Sequence, residues 1–233
     1  MYLNLKQSSE GYRYSIDSFL LADFCLTHKG VKILDLGSGC GIISILLAKS
    51  CPNCEIVGIE IQADMIELAE QNLIRNKLSS NIRFIQGDIR QISKHFSNTP
   101  FDIIVTNPPY HKIGSGRINP HPGKASARHE ITGSLMDFIH AAVHILRAKG
   151  YFYMIYTANR LPELILALVQ NELEPKVLKF IHPRENSEAN LVLIKTIKKG
   201  KPGLRILPPI FIYKAVNEYS NEVNSILKRW KLV

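Results

Sequence analysis

Residues 32–49 read KILDLGSGCGIISILLAK. The apolar run Lys32 to Leu36 stops at Gly37, and apolar residues resume at helical spacing from Ile42 to Lys49, which predicts a buried strand, a glycine-rich turn and a helix. Gly37, Gly39 and Gly41 line that turn, and Asp35 stands just before it. Glycine permits positive φ and close approach of a ligand to the backbone, while the following helix offers unpaired N–H groups to a carboxylate or phosphate. The spacing is Gly-x-Gly-x-Gly, whereas dinucleotide enzymes usually carry Gly-x-Gly-x-x-Gly. The loop points to a nucleotide-like ligand and argues against a Rossmann-type dehydrogenase.

The same alternation continues outward. Glu55 to Ile59 reads as a second buried strand ending at Glu60, and Ala63 to Asn76 as an amphipathic helix with Met65, Ile66, Ala69 and Leu73 on one face. Ile82 to Gln86 predicts a third strand, closed by Gly87 and Asp88, and Phe101 to Thr106 a fourth, halted by the prolines of Asn107-Pro108-Pro109-Tyr110. Residues 111–132 form a long polar stretch; loops beyond about 15 residues are usually functional or disordered, and this one is read as substrate-facing. Leu135 to Leu146 and Leu161 to Asn171 predict helices, and Tyr151 to Tyr156, Val177 to Ile181 and Leu191 to Thr196 predict strands. The basic stretch Lys195 to Lys201 reads as an exposed turn and Glu218 to Trp230 as a closing helix. Together these predict an α/β fold, Rossmann-like and doubly wound, with a mostly parallel seven-stranded sheet and an antiparallel edge hairpin.

The chain has 233 residues, a length that commonly folds as one α/β domain. Lys and Arg number 29 against 20 Asp and Glu, a formal charge of +9. Such an excess favours a polyanionic partner, with nucleic acid first. The N-terminus is polar and no run is long and apolar enough to span a bilayer, so a cytoplasmic protein is expected, with no membrane partner. Cys51-Pro-Asn-Cys54 has the spacing of half a zinc site or a redox pair, but Cys25 and Cys40 form no second pair. It is read as an incidental turn, and no metal is expected. A monomer is the default oligomeric state.

In open α/β sheets, ligands sit beyond the C-terminal ends of the strands, and the distinctive residues of this chain fall at such ends. Glu60 suits a ribose diol, because an ionised carboxylate accepts hydrogen bonds from both hydroxyls. Asp88 suits the exocyclic amine of a bound adenine. With Asp35, Gly37, Gly39 and Gly41, and with Ile61 and Ile89 adjoining the two acids, they make a nucleoside site. Asn107 to Tyr110 presents different chemistry. An aromatic amine is a poor nucleophile because its lone pair is delocalised into the ring. The Asn107 side-chain oxygen and the Pro108 carbonyl provide two acceptors for its N–H hydrogens, a catalysis by positioning and electrostatics without a strong base. Tyr110 offers a flat face for an unpaired base.

The series Asp35 to Gly41, Glu60, Asp88 and Asn107 to Tyr110 resembles the class I S-adenosylmethionine-dependent methyltransferases that act on exocyclic or amide nitrogens. Gln7 to Leu21, Ala127-Arg128-His129-Glu130, His182-Pro183 and Leu207 to Tyr213 are similar to the bacterial methyltransferases that modify N6 of the adenosine 3′ of the anticodon in a valine tRNA. The resemblance implies one class I domain, with residues 1–30 as an N-terminal segment at the donor site and 31–233 as the catalytic core. It further implies S-adenosylmethionine as donor, contacted by Tyr14, Asp17, the glycine loop, Glu60 and Asp88. A catalytic Asn107, and tRNA as partner, follow as well.

His111, next to Tyr110, is either an RNA contact or an exposed loop histidine. Lys112, Arg117, Lys124 and Arg128 are candidate RNA contacts in the loop, with Lys198, Lys199 and Lys201 as peripheral ones. The Arg128-His129-Glu130 segment fits an internal ion pair or a substrate contact. A carboxamide NH2 poses the same chemical problem as an adenine amine. A glutamine N5-methyltransferase acting on release factors and a ribosomal RNA guanine-N2 methyltransferase therefore remain alternatives. The former carries a helical domain ahead of its core, for which the thirty or so residues before the first strand leave little room. A noncatalytic nucleotide-binding module has no use for the Asn107 turn.

Overall fold

The computed structural model describes residues 3–6, 16–26, 30–78, 81–96, 100–110 and 133–230. In chain order these form α1 (Ile16–Phe24), β1 (Lys32–Leu36), α2 (Ile42–Ser50), β2 (Glu55–Glu60), α3 (Ala63–Arg75), β3 (Ile82–Gln86), α4 (Ile92–His95) and β4 (Phe101–Thr106). After residues 111–132 come α5 (Leu135–Ile145), β5 (Leu146–Thr157), α6 (Leu161–Gln170), β6 (Leu173–His182), β7 (Leu191–Lys198) and β8 (Arg205–Phe211). A small hairpin, β9 (Tyr213–Ala215) with β10 (Glu218–Tyr219), leads into α7 (Asn221–Arg229).

Eight strands form one sheet in the order β3-β2-β1-β4-β5-β7-β6-β8. All neighbouring pairs are parallel except those made by β7, which runs against both β5 and β6. The sheet is therefore α/β and mostly parallel as the pattern predicts, but has eight strands where seven were expected. The antiparallel hairpin lies one strand in from the edge, because β8 covers β6. Pro208 and Pro209 conceal β8 in the sequence, since proline donates no ladder hydrogen bond and is tolerated at edges and bulges. The β6–β8 register does slip there: Lys179 faces Leu207 and Ile181 faces Ile210, leaving one extra residue on β8.

Neighbouring strand residues alternate between two cores, as a two-residue period requires. Ile33, Ile103, Tyr153 and Leu193 face the core containing α1, α2 and α7, while Leu34, Ile104, Met154 and Ile194 face the one containing α5 and α6. β1 is buried from Ile33 to Leu36 because strands and helices surround it on every side. The chain steps from β1 through β2 to β3, then returns to place β4 on the other side of β1. That reversal opens a crevice above the C-terminal ends of β1 and β4.

Residues 3–6 are strapped to α3 by two asparagines. Asn76 accepts from the Asn4 N–H at 3.1 Å and donates to its carbonyl at 2.7 Å; Asn72 makes the same pair with Lys6 at 2.6 and 3.0 Å. Both amides are buried, and an amide pairing with both backbone groups satisfies them as a neighbouring strand would.

Three local readings need correction. Lys195 to Lys198 belong to β7 rather than to an exposed turn, and Lys195 lies 4.2 Å from the Tyr151 ring centroid; lysines fit such a strand because they cover apolar surface with their stems. Glu218 and Tyr219 form β10, so the last helix begins at Asn221, capped by the Ser220 side chain. Cys51 and Cys54 are not an unconnected turn: their sulfurs form a disulfide between α2 and β2. Among the described residues no helix is long and apolar enough to cross a membrane.

Candidate active site

Asp35 lies at the bottom of the crevice and is fully buried. Its Oδ2 accepts from the Ser44 hydroxyl at 2.7 Å and the Ser44 N–H at 3.2 Å. The carboxyl thereby does for the first turn of α2 what Gly41, the N-cap without a side chain, does not. Oδ1 has no hydrogen-bond partner among the described residues. Burial pushes the Asp35 carboxyl up to about 7, against the lowering effect of the Ser44 hydrogen bonds.

The turn above it depends on glycine. Gly41 has φ 79°, and a Cβ there would lie 2.5 Å from the Phe84 ring. Gly39 has φ 53° and open space where a Cβ would stand, so its backbone faces the crevice unobstructed. Its N–H donates to Glu60 Oε2 at 3.0 Å, while Oε1 accepts from the Gln62 N–H at 3.0 Å. Glu60 is only 5% exposed. Oε1 also accepts from Gln62 Nε2 at 3.5 Å, while Oε2 keeps a second lone pair among the described residues. Asp88 is different: its carboxylate is gripped by Arg90 through the backbone N–H, Nε and a terminal nitrogen at 2.7 to 2.9 Å. The hydrogen bonds from Arg90 hold it below the usual carboxylate range. Ile61 is half-buried next to Glu60, and Ile89 is buried next to Asp88.

The turn after β4 hangs from Thr106, whose hydroxyl donates to the Leu36 carbonyl at 2.8 Å and so ties β4 to the end of β1. Asn107 and Tyr110 are half-buried and Pro108 is buried. The Tyr110 hydroxyl lies 2.6 Å from Asn107 Oδ1 and 3.3 Å from Asp17 Oδ2, which brings the start of α1 to the turn after β4. Tyr110 also packs edge-on against Tyr156, with centroids 6.2 Å apart.

Two residues with no earlier assignment complete this turn. Arg160 donates to the Tyr110 carbonyl at 3.3 Å, stands 5.1 Å from the Tyr156 ring centroid and is held by Glu163 at 2.6 Å. The guanidinium thus fixes the backbone exit of the turn, using its planar fork and the aromatic face together. A cation just past a strand end was the available signal. Its partner is 50 positions away in the chain, and only the pairing of β4 with β5 brings them together.

The crevice therefore gathers Asp17, Asp35, the three glycines, Glu60, Ile61, Asp88, Ile89 and Asn107 to Tyr110 at one end of the sheet. It does not gather Lys198, Lys199 and Lys201. Lys198 ends β7, which runs antiparallel, and Lys199 and Lys201 follow it, all at the opposite end of the sheet. Lys198 donates to the Val143 and Leu146 carbonyls. Tyr14, His111, Lys112, Arg117, Lys124 and the Arg128-His129-Glu130 segment lie outside the described residues.

Residues 27–189 match the methyltransferase domain family. A tRNA1(Val) (adenine(37)-N6)-methyltransferase of Phocaeicola vulgatus is 30% identical over 216 residues, covering 93% of this chain and 89% of that protein. A protein of the same name from Aeromonas salmonicida is 28% identical over 181 residues, 76% of this chain and 73% of its own. Among solved structures, a predicted O-methyltransferase of Agrobacterium tumefaciens superposes with a TM-score of 0.73 at 21% identity, covering 91% of this chain and 96% of its own, which reflects the fold. With more than two thirds of its length matched, the chain belongs to the methyltransferase domain family.

Proposed function

We propose that this protein methylates the exocyclic N6 of an adenine in tRNA, at the adenosine 3′ of the anticodon of a valine tRNA, with S-adenosylmethionine as donor. The observation that carries the reading is the Asn107 side-chain oxygen. It stands at the mouth of the crevice, where its present partner is a hydroxyl donor, so the position suits a polar hydrogen. Relatives named for this reaction, similar over most of both chains, support the substrate.

The residues fit the donor. Gly39 leaves its backbone open, Glu60 Oε2 keeps a lone pair for a ribose hydroxyl, and Asp35 Oδ1 is a polar oxygen without a partner among the described residues. When bound, S-adenosylmethionine supplies an electrophilic methyl group on a sulfonium. The remaining chemistry belongs to the protein. Glu60, Asp88, Ile61, Ile89 and the glycine loop hold the nucleoside part. Asn107 Oδ1 and the Pro108 carbonyl accept the two amine hydrogens and favour the pyramidal nitrogen. Tyr110 presents a ring to the base, and Arg160 holds the turn that carries all three. The whole chain serves as one domain, with residues 1–30 contributing to the donor side. RNA phosphates engage basic residues around the mouth.

The deciding experiment supplies labelled donor and total bacterial tRNA, then identifies the nucleoside carrying label after digestion. N6-methyladenosine is the expected product. Label in a release-factor glutamine or in N2-methylguanosine would replace this substrate with one of the alternatives. Affinity for tRNA should fall steeply with salt, as phosphate contacts demand. A flat dependence would detach the +9 charge from RNA binding.

A further inference from the structure

We propose that the Tyr110 hydroxyl is a one-proton switch on the acceptor side of the site, and that Asp17 is the positioning residue that sets it. The proposal rests on the reading of Asn107 as the amine acceptor. A phenol has a single O–H hydrogen, and among the described residues it has two acceptors within reach: Asn107 Oδ1 at 2.6 Å and Asp17 Oδ2 at 3.3 Å. Neither the Asn107 oxygen nor an ionised carboxylate can donate, so the hydroxyl serves one of them at a time. In the structure the shorter contact is to Asn107.

That contact competes with catalysis. The oxygen meant to receive the substrate N–H already accepts a short hydrogen bond, which lowers its capacity for a second and places the phenol oxygen in the approach. Turning the O–H toward Asp17 removes the hydrogen that holds the two oxygens at 2.6 Å; they repel and draw apart, Asn107 Oδ1 is released to the substrate, and the carboxylate satisfies the hydroxyl with a stronger, charge-assisted bond. No atom is gained or lost in this exchange. The Tyr110 ring stays against Tyr156, so its stacking face is not lost. Asp17, which the family resemblance assigns to the donor, thus acts on the acceptor through Tyr110. It also couples α1, 93 positions earlier in the chain, to the catalytic turn.

A double-mutant cycle tests the switch by single-turnover methyl transfer at saturating donor and tRNA, with donor affinity measured alongside. In the Tyr110 protein, Asp17→Ala should slow transfer about tenfold, within the range of coupling between contacting residues. In a Tyr110→Phe background, where no hydroxyl competes, adding Asp17→Ala should change the rate by less than about twofold. Asp17→Asn keeps an acceptor oxygen and should recover most of the rate in the Tyr110 protein. Any loss of donor affinity from Asp17→Ala should be the same in both backgrounds and, at saturating donor, should leave the comparison of rates untouched. An equal loss of rate from Asp17→Ala in both backgrounds, an asparagine variant as slow as the alanine one, or a rate difference between the backgrounds matched by a difference in donor affinity would each overturn the switch. Asn107→Ala run in parallel separates the two layers. If it transfers methyl at the parental rate, the amine-acceptor reading fails; if it is inactive while the cycle shows no coupling, only the switch fails.

Discussion

The two ends of the sheet use the same residue types to opposite effect. At the N-terminal end of the parallel strands, Asp102 accepts from the Lys32 N–H and pairs with Arg147. Lys198 donates to two carbonyls of the α5–β5 junction, Lys149 to the Lys199 carbonyl and Lys176 to the Lys201 carbonyl. Charge there is absorbed in closing turns. At the C-terminal end, Asp35 keeps one oxygen without a partner among the described residues, Glu60 holds two backbone N–H groups with a lone pair left on Oε2, and the Tyr110 hydroxyl is contested. The difference teaches that composition marks neither end. What distinguishes the working end is polar capacity held in a fixed geometry and left over after the fold has been satisfied.

The largest expected effect that would sharpen this contrast is at Asn107. Asn107→Ala should lower the single-turnover rate by a factor of about 100 to 1,000 with donor binding largely retained, as for loss of one preorganised polar group. Asn107→Asp keeps an acceptor oxygen and should retain part of the activity. Parental turnover in the alanine variant would make the turn merely structural.

Next comes Asp35, whose pKa of about 7 lies above the ordinary 3.8. The folded state binds a proton that the unfolded chain has released, so the contribution of Asp35 to stability declines as pH rises from about 4 to about 7 and is level above that. Denaturant titrations should show the parent losing roughly 3 to 4 kcal/mol relative to Asp35→Asn across that window. Parallel pH profiles for the two proteins would show that burial does not hold this proton.

Glu60→Ala removes a carboxylate acceptor from the proposed donor site and a tether from Gly39. Calorimetry should find donor binding weaker by about 1.5 to 3 kcal/mol. Unchanged affinity would take Glu60 out of the donor site. The smallest effect belongs to the other end of the sheet: Lys199→Ala with Lys201→Ala should alter tRNA affinity by less than about twofold at physiological salt. A large loss would mean that RNA wraps around the molecule, and the contrast between the ends would break.

Much of the working end was legible because each strand announces its own terminus. Asp35, Glu60, Asp88 and Asn107 all sit where an apolar run stops, and the parallel alternation brings those stops to one edge. Contacts made across the sheet left no such trace. Tyr110 meets Asp17 and Arg160 only after β4 has docked between β1 and β5, and no local period encodes that. The lysines after β7 misled for a related reason: one reversed strand sends its C-terminus to the far end of the sheet. The Cys51–Cys54 bond was dismissed because spacing alone does not distinguish a joined pair from a turn.

The double proline in β8 has a consequence for the molecule among its neighbours. An outermost strand with free N–H and C=O groups is a template for another chain. Here that strand carries Pro208 and Pro209, a register slip against β6, and the exposed apolar side chain of Ile206. Two residues without N–H groups, at a bulge, interrupt any ladder a second chain might start. In a crowded cell this edge would resist self-assembly despite its apolar surface, and its insurance against aggregation is written in the residues that hid the strand.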